Sequence, residues 1–251
     1  MPANDSLAST RHQTTPGLIL PLIVVLVVAM FFPDVAESYV GDGWEKPGPS
    51  QITSETWWYL GMVGLQLALG GAVLAWFWPV YRAEFPWSWS PWSVVIGTLG
   101  VIVWVLLAQP GWEGQLLQRL GWDASRPSFN PFSIPEASIR NVFLGLRFSV
   151  LVLLIPMAEE LFLRGWLLRW LESPDYQSKA LADLSWSALP LAAVYGVVTH
   201  PGEALAAIAW FSMVTWLMWR TGSLWDCVIA HAVTNLLLGV YILGWSQWQL
   251  W

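Results

Sequence analysis

Long apolar runs separated by short polar connections dominate the chain. They fall at 18–32, 57–78, 92–108, 142–171, 186–199, 204–219 and 229–245. A helix needs about 20 apolar residues, within a range of roughly 17–25, to cross the hydrocarbon of a bilayer. Lipid offers no partner to a backbone N–H or C=O, so each run is read as a helix that satisfies its own backbone. The pattern predicts an all-α fold, a polytopic integral membrane helical bundle of about seven to eight transmembrane helices. Helix punctuation supports several ends: Ser90-Pro91 precedes the third run, and Arg220-Thr221-Gly222 follows the sixth. Pro33-Asp34 follows the first run where a small-x-small cleavage site would stand, so that run is read as an uncleaved signal-anchor.

The connections add an orientation. Residues 34–55 hold five acids and one Lys, with Gly and Pro throughout. Residues 109–140 mix Pro, Gly and both charges and include a short amphipathic surface helix around 112–120. Arg11, Arg82, Arg169 with Lys179, and Arg220 alternate with the acidic connections along the chain. The positive-inside rule then places residues 1–16 as a cytoplasmic tail. No internal repeat or second domain is visible, so residues 1–251 read as a single membrane domain.

Composition agrees. Of 251 residues 56% are hydrophobic and only 11% charged, against roughly 25% charged in soluble domains. The net charge of −6 excludes a nucleic-acid partner. A single Cys excludes an internal disulfide and a multi-cysteine zinc site. Many of the 21 Trp sit beside the apolar runs, as expected of rings that collect at the membrane–water boundary.

Against that background the charged and polar groups inside apolar runs need a reason, because each costs at least ~2.5–3.5 kcal/mol at the centre of a span. In the run 142–171, interrupted by Arg147 and Pro156, stands Glu159-Glu160-Leu161-Phe162-Leu163-Arg164. Glu160 and Arg164 are i,i+4 neighbours with the acid first, the favourable order for an ion pair. Glu159 lies about 100° round the helix and faces elsewhere. His200 closes the run 186–199 at Thr199-His200-Pro201, and His231 with Asn235 shares one face of the last run. Each cluster alone also fits ordinary membrane packing: a snorkelling Arg, a His at a helix end, an interhelical hydrogen bond. Together they form a set able to activate water: Glu as general base, His to hold the water, His and Asn to donate to an oxyanion.

At these residues the sequence resembles the CPBP family of intramembrane proteases, which includes CAAX prenyl endopeptidases and bacteriocin-processing and immunity proteins. The family pattern is Glu-Glu-x-x-x-Arg, then aromatic-x-x-x-His, then His-x-x-x-Asn. Glu159-Glu160…Arg164 matches the first and His231…Asn235 the third; the second departs, with Gly196 four places before His200 and Tyr195 beside it. The resemblance covers roughly residues 140–245, the expected catalytic core. It implies Glu159 as general base, Glu160 as its partner carboxylate anchored by Arg164, His200 orienting the water, and His231 with Asn235 as the oxyanion hole. It also implies a glutamate-dependent reaction with no cofactor. A metalloprotease would use Glu159, His200 and His231 around Zn²⁺, but the i,i+4 partner of His231 is Asn235 rather than a second His, which disfavours zinc.

One geometric demand follows. The helix between the two His is about 24 Å long at 1.5 Å per residue, so they meet only if His200-Pro201-Gly202 lies within the membrane and lines a polar cavity open to one face. The expected partners are the lipid bilayer and a membrane-associated protein or peptide substrate, and the expected home is a bacterial inner membrane. The competing readings are a non-catalytic scaffold or immunity-type protein and, less favoured, a proton-coupled transporter relaying through Glu159 and His200.

Overall fold

The computed structural model describes residues 3–32, 54–108, 111–121 and 129–250, and every regular element among them is helical. The larger helices are α1 (Ala3–Ala29), α2 (Ser54–Trp76), α3 (Trp78–Glu84), α4 (Pro91–Ala108), α5 (Trp112–Arg119), α6 (Ala137–Glu172), α7 (Ala188–Thr199), α8 (Ala204–Thr221) and α9 (Leu224–Trp245). Five stretches are long and apolar enough to span a bilayer: Thr56–Trp76, Pro91–Ala108, Ala137–Glu172, Pro201–Thr221 and Leu224–Trp245. Thr14–Ala29 and Ala188–Thr199 are apolar but shorter, so length alone supports five spans where the sequence pattern predicts seven to eight. The expected tail 1–16 enters the helical region early, since α1 begins at Ala3. The surface helix expected around 112–120 is α5. Most of the connection 34–55, with residues 109–110 and 122–128 of the second connection, lies outside the described residues.

Side-chain pairings fix how the helices run. Trp58 Nε1 donates to Phe31 O and Gln66 Nε2 to Val25 O, each at 2.9 Å, so α2 descends antiparallel to α1. Tyr81 of α3 returns to the start of that pair, its hydroxyl donating to Gly17 O at 2.7 Å. α4 and α9 run parallel: the Ser90 N–H donates to Asp226 Oδ1 at 2.7 Å, and further along Thr234 Oγ1 donates to Gly97 O at 2.9 Å. Gly97 is what lets them touch, because a Cβ there would stand 2.6 Å from Ala230 O. Gly222, at φ 64°, reverses the chain between α8 and α9. It donates its N–H to Met218 O at 2.8 Å, a left-handed cap that suits glycine. α7 lies antiparallel to α8, with Trp186 on Trp219 (centroids 5.0 Å) at one end and Gly196 on Phe211 towards the other.

These pairings sort the helix ends onto two faces. One face holds the start of α1, α3, the end of α6, the α8–α9 turn and the starts of α4 and α7. The opposite face holds the ends of α4 and α9, the starts of α6 and α8, and α5, whose Glu113 accepts the Leu205 N–H at 2.9 Å. α6 links the faces as one helix with π-helical turns at Val150–Leu154 and Leu161–Leu167.

Candidate active site

α6 carries the acids and one of its π turns aims them. A π turn takes up about one extra residue, setting the helix back by about 100°. Arg147 and Glu159 are twelve residues apart, which in a regular helix leaves them about 120° out of phase; the turn at Val150–Leu154 reduces this to about 20°. Both accordingly face one cavity of about 240 Å³, with Leu151 and Ile155 between them. Pro156, lacking an N–H, cannot bond back to the carbonyls a turn earlier, and Asn235 Nδ2 donates to Leu151 O at 2.8 Å. Asn235 thereby ties α9 to the loosened turn.

One residue on from Glu159, the side chain points the other way. Glu160 is fully buried and accepts from Arg164 Nη1, itself fully buried. Arg164 Nη2 donates onward to Phe211 O at 3.2 Å on α8. The second oxygen of Glu160 accepts from His231 Nδ1 at 3.1 Å, across 71 positions of sequence. His231 Nε2 is then turned towards Glu159 Oε2, 3.9 Å away, beyond direct hydrogen-bond reach. Trp210 holds the ring from the side, edge-on at 4.6 Å, and is itself fixed by Nε1 donating to Thr234 Oγ1 at 3.1 Å.

His200 reaches the same cavity from the end of α7. Its Nδ1 is 2.9 Å from Thr199 Oγ1, and its ring lies 5.1 Å from that of Trp104 and 6.1 Å from that of Phe211. The place where the family pattern has an aromatic is bare Gly196, and Phe211 fills it from α8: a Cβ at Gly196 would stand 2.5 Å from Phe211 Cδ2. The ring near His200 is thus supplied across a helix interface rather than from one turn below.

Glu159, His200, His231 and Asn235 all line the one cavity, with Glu160 and Arg164 beneath it. Sequence reasoning did not single out Glu203, Trp104, Trp210, Phe211 and Thr234, which line it too. Glu203 follows the His200-Pro201-Gly202 break directly and could have been found from it. Trp210 carries no signal in a chain with 21 Trp. For zinc, no three His, Cys, Asp or Glu side chains among the described residues stand together as metal ligands.

Comparison with known families bears on the same segment. Residues 141–237 match the family model described as type II CAAX prenyl endopeptidase Rce1-like. This segment is similar to that family. It contains Glu159, Glu160, Arg164, His200, His231 and Asn235, and the match is consistent with the CPBP resemblance. No curated protein and no solved structure matched the chain.

Proposed function

We propose that the protein is an intramembrane endopeptidase hydrolysing a peptide bond of a membrane-associated protein or peptide. The observation that carries this reading is the shared cavity, where Glu159 and His200 face the same space as the His231 ring that Glu160 holds. Glu160 holds Nδ1 of His231, which leaves Nε2 as the ring atom turned to the cavity. Glu159 takes a proton from a water that His200 orients, and the water oxygen bonds to the carbonyl carbon. Nε2–H of His231 donates to the oxyanion, the role an N–H aimed at developing charge performs best. Collapse breaks the C–N bond, and the proton held by Glu159 passes to the leaving amine. Asn235 supports the oxyanion side by fixing α9 against α6. The reaction uses no cofactor.

The test compares the membrane proteomes of cells carrying Glu159→Gln and the parental chain. An uncut membrane protein accumulating with Glu159→Gln, at equal expression, supports the peptidase. Identical proteomes with retained biological activity would instead make the polar set a structural one, and proton-coupled uptake into vesicles abolished by the same substitution would make it a transporter's.

A further inference from the structure

A polypeptide cannot reach Glu159 unless part of the cavity wall moves. The cavity measures about 240 Å³, below the roughly 300–1,000 Å³ of sites that take even a drug-sized ligand, and a peptide extends to both sides of the bond that is cut. The walls on α4, α6, α8 and α9 are tied to one another by polar bonds. Glu160 and Asn235 join α6 to α9, Arg164 joins α6 to α8, Trp210 joins α8 to α9, and Thr234 joins α9 to α4. Leu250 completes the lining from outside this set, on the turn Trp248–Leu250 that follows α9.

That turn is held differently. Ser246 ends α9 at φ 55°, the sole residue other than glycine with a positive φ among the described residues, and this left-handed conformation crowds any side chain that has a Cβ. The N–H groups of Ser246 and Gln247 both donate to Ile242 O, which folds the chain back over the last turn of α9. Trp248 and Leu250 are then buried with Ile242, and the Trp248 ring packs on Phe132 with centroids 6.0 Å apart. This seat is apolar and imperfect. Trp248 Nε1 and Ser246 Oγ are both buried without a hydrogen-bond partner among the described residues, and a buried polar group left unpaired disfavours the form that buries it.

We propose that residues 246–250 are a gate: seated, they narrow the cavity, and by pivoting about Ser246 they withdraw Leu250 and admit substrate. Burial of Trp248 and Leu250 keeps the seated form the resting one, while the strained pivot and the two unpaired polar atoms bring the lifted form close to it in free energy. A small difference between two forms is what a ligand can reverse. An incoming chain with apolar side chains does so by taking the places of Trp248 and Leu250 against Ile242 and Phe132. The turn lies beyond residues 141–237, outside the segment that matches the family. As control of a peptidase the gate rests on the reading above, but its movement rests on the packing of the turn alone.

A thiol placed in the cavity reports on the gate. Ile155→Cys puts one on the α6 wall, and the native Cys227, fully buried, serves as a reporter of unfolding. The full chain in detergent is treated with a maleimide, and the two thiols are followed separately. Adding Trp248→Ala, which removes the ring seated on Phe132, should speed labelling of the Ile155→Cys thiol at least fivefold while Cys227 stays unreactive. Trp248→Phe keeps a ring in the seat and should leave the rate within twofold of the parental turn. Unchanged labelling with Trp248→Ala overturns the proposal, and so does Cys227 becoming reactive alongside, since Trp248 would then hold the bundle as a whole. In cells, the membrane protein left uncut by Glu159→Gln should be processed at least threefold faster by a chain carrying Trp248→Ala alone; equal or slower processing also overturns the gate. Faster labelling with no uncut protein at all would sink the peptidase reading and leave the gate standing.

Discussion

Two acids adjacent in sequence do different work here because a helix turns about 100° per residue. Glu160 turns inward, to Arg164 and His231, and Glu159 turns to the cavity. Their substitutions should differ accordingly. Glu160→Gln leaves a buried guanidinium without its counter-charge, a change that costs about 3–5 kcal/mol; a thermal melt in detergent should show the loss, with cleavage falling alongside. Glu159→Gln removes no ion pair shorter than 3.9 Å. It should melt within a few degrees of the parental chain while losing all measurable cleavage. The Glu160–Arg164 pair was legible from i,i+4 spacing, and the divergence of Glu159 from helix phase. The His231–Glu160 bond was not, because nothing local connects positions 71 apart. The sequence also suggested Asn235 as an oxyanion donor, whereas its amide donates to Leu151 O; only the π turn explains why that carbonyl needs a donor.

At the scale of elements, the register of α6 and the seat at Gly196 matter most. Hydropathy located α6 as one long run, but hydropathy has no term for a π turn, so Arg147 read as an interruption rather than as part of the cavity wall. Removing one residue from that turn, for instance Val152, should return α6 to regular phase and rotate Glu159 about 100° relative to Arg147. Cleavage should disappear while helix content by circular dichroism stays unchanged. Gly196→Ala places a Cβ 2.5 Å from Phe211, overpacking that typically costs about 1–3 kcal/mol. Because Phe211 also stands beside His200, turnover should fall at least fivefold with KM little changed. Activity equal to the parental chain would remove any role for this contact. The break at His200 was legible as Pro201-Gly202, and the structure resolves it as a short turn, Pro201–Glu203, leading into α8.

For the whole molecule, the fold class followed from hydropathy, and the number of spans did not. Ala188–Thr199 is apolar but only 12 residues long, and the residue after it, His200, lines the cavity; a count of apolar runs cannot tell such a short helix from a span. The proposed activation of water by side chains alone also bears on metal chemistry. Dialysis against a strong chelator should leave cleavage by the reconstituted protein within twofold of its starting rate. A loss restored by zinc would move the mechanism to Glu159, His200 and His231 as ligands.

The bond between Glu160 and His231 also has a consequence for biogenesis. The ribosome makes α6 long before α9, and at roughly 5–20 residues per second the 71 intervening positions take about 4–14 s to appear. Throughout that interval α6 sits at the translocon with Arg147, Glu159, Glu160 and Arg164 in one apolar run and no His231 for Glu160 to bind. Membrane insertion of α6 by itself should therefore be inefficient, and late synthesis of the helix carrying His231 would be the event that commits it to the bilayer.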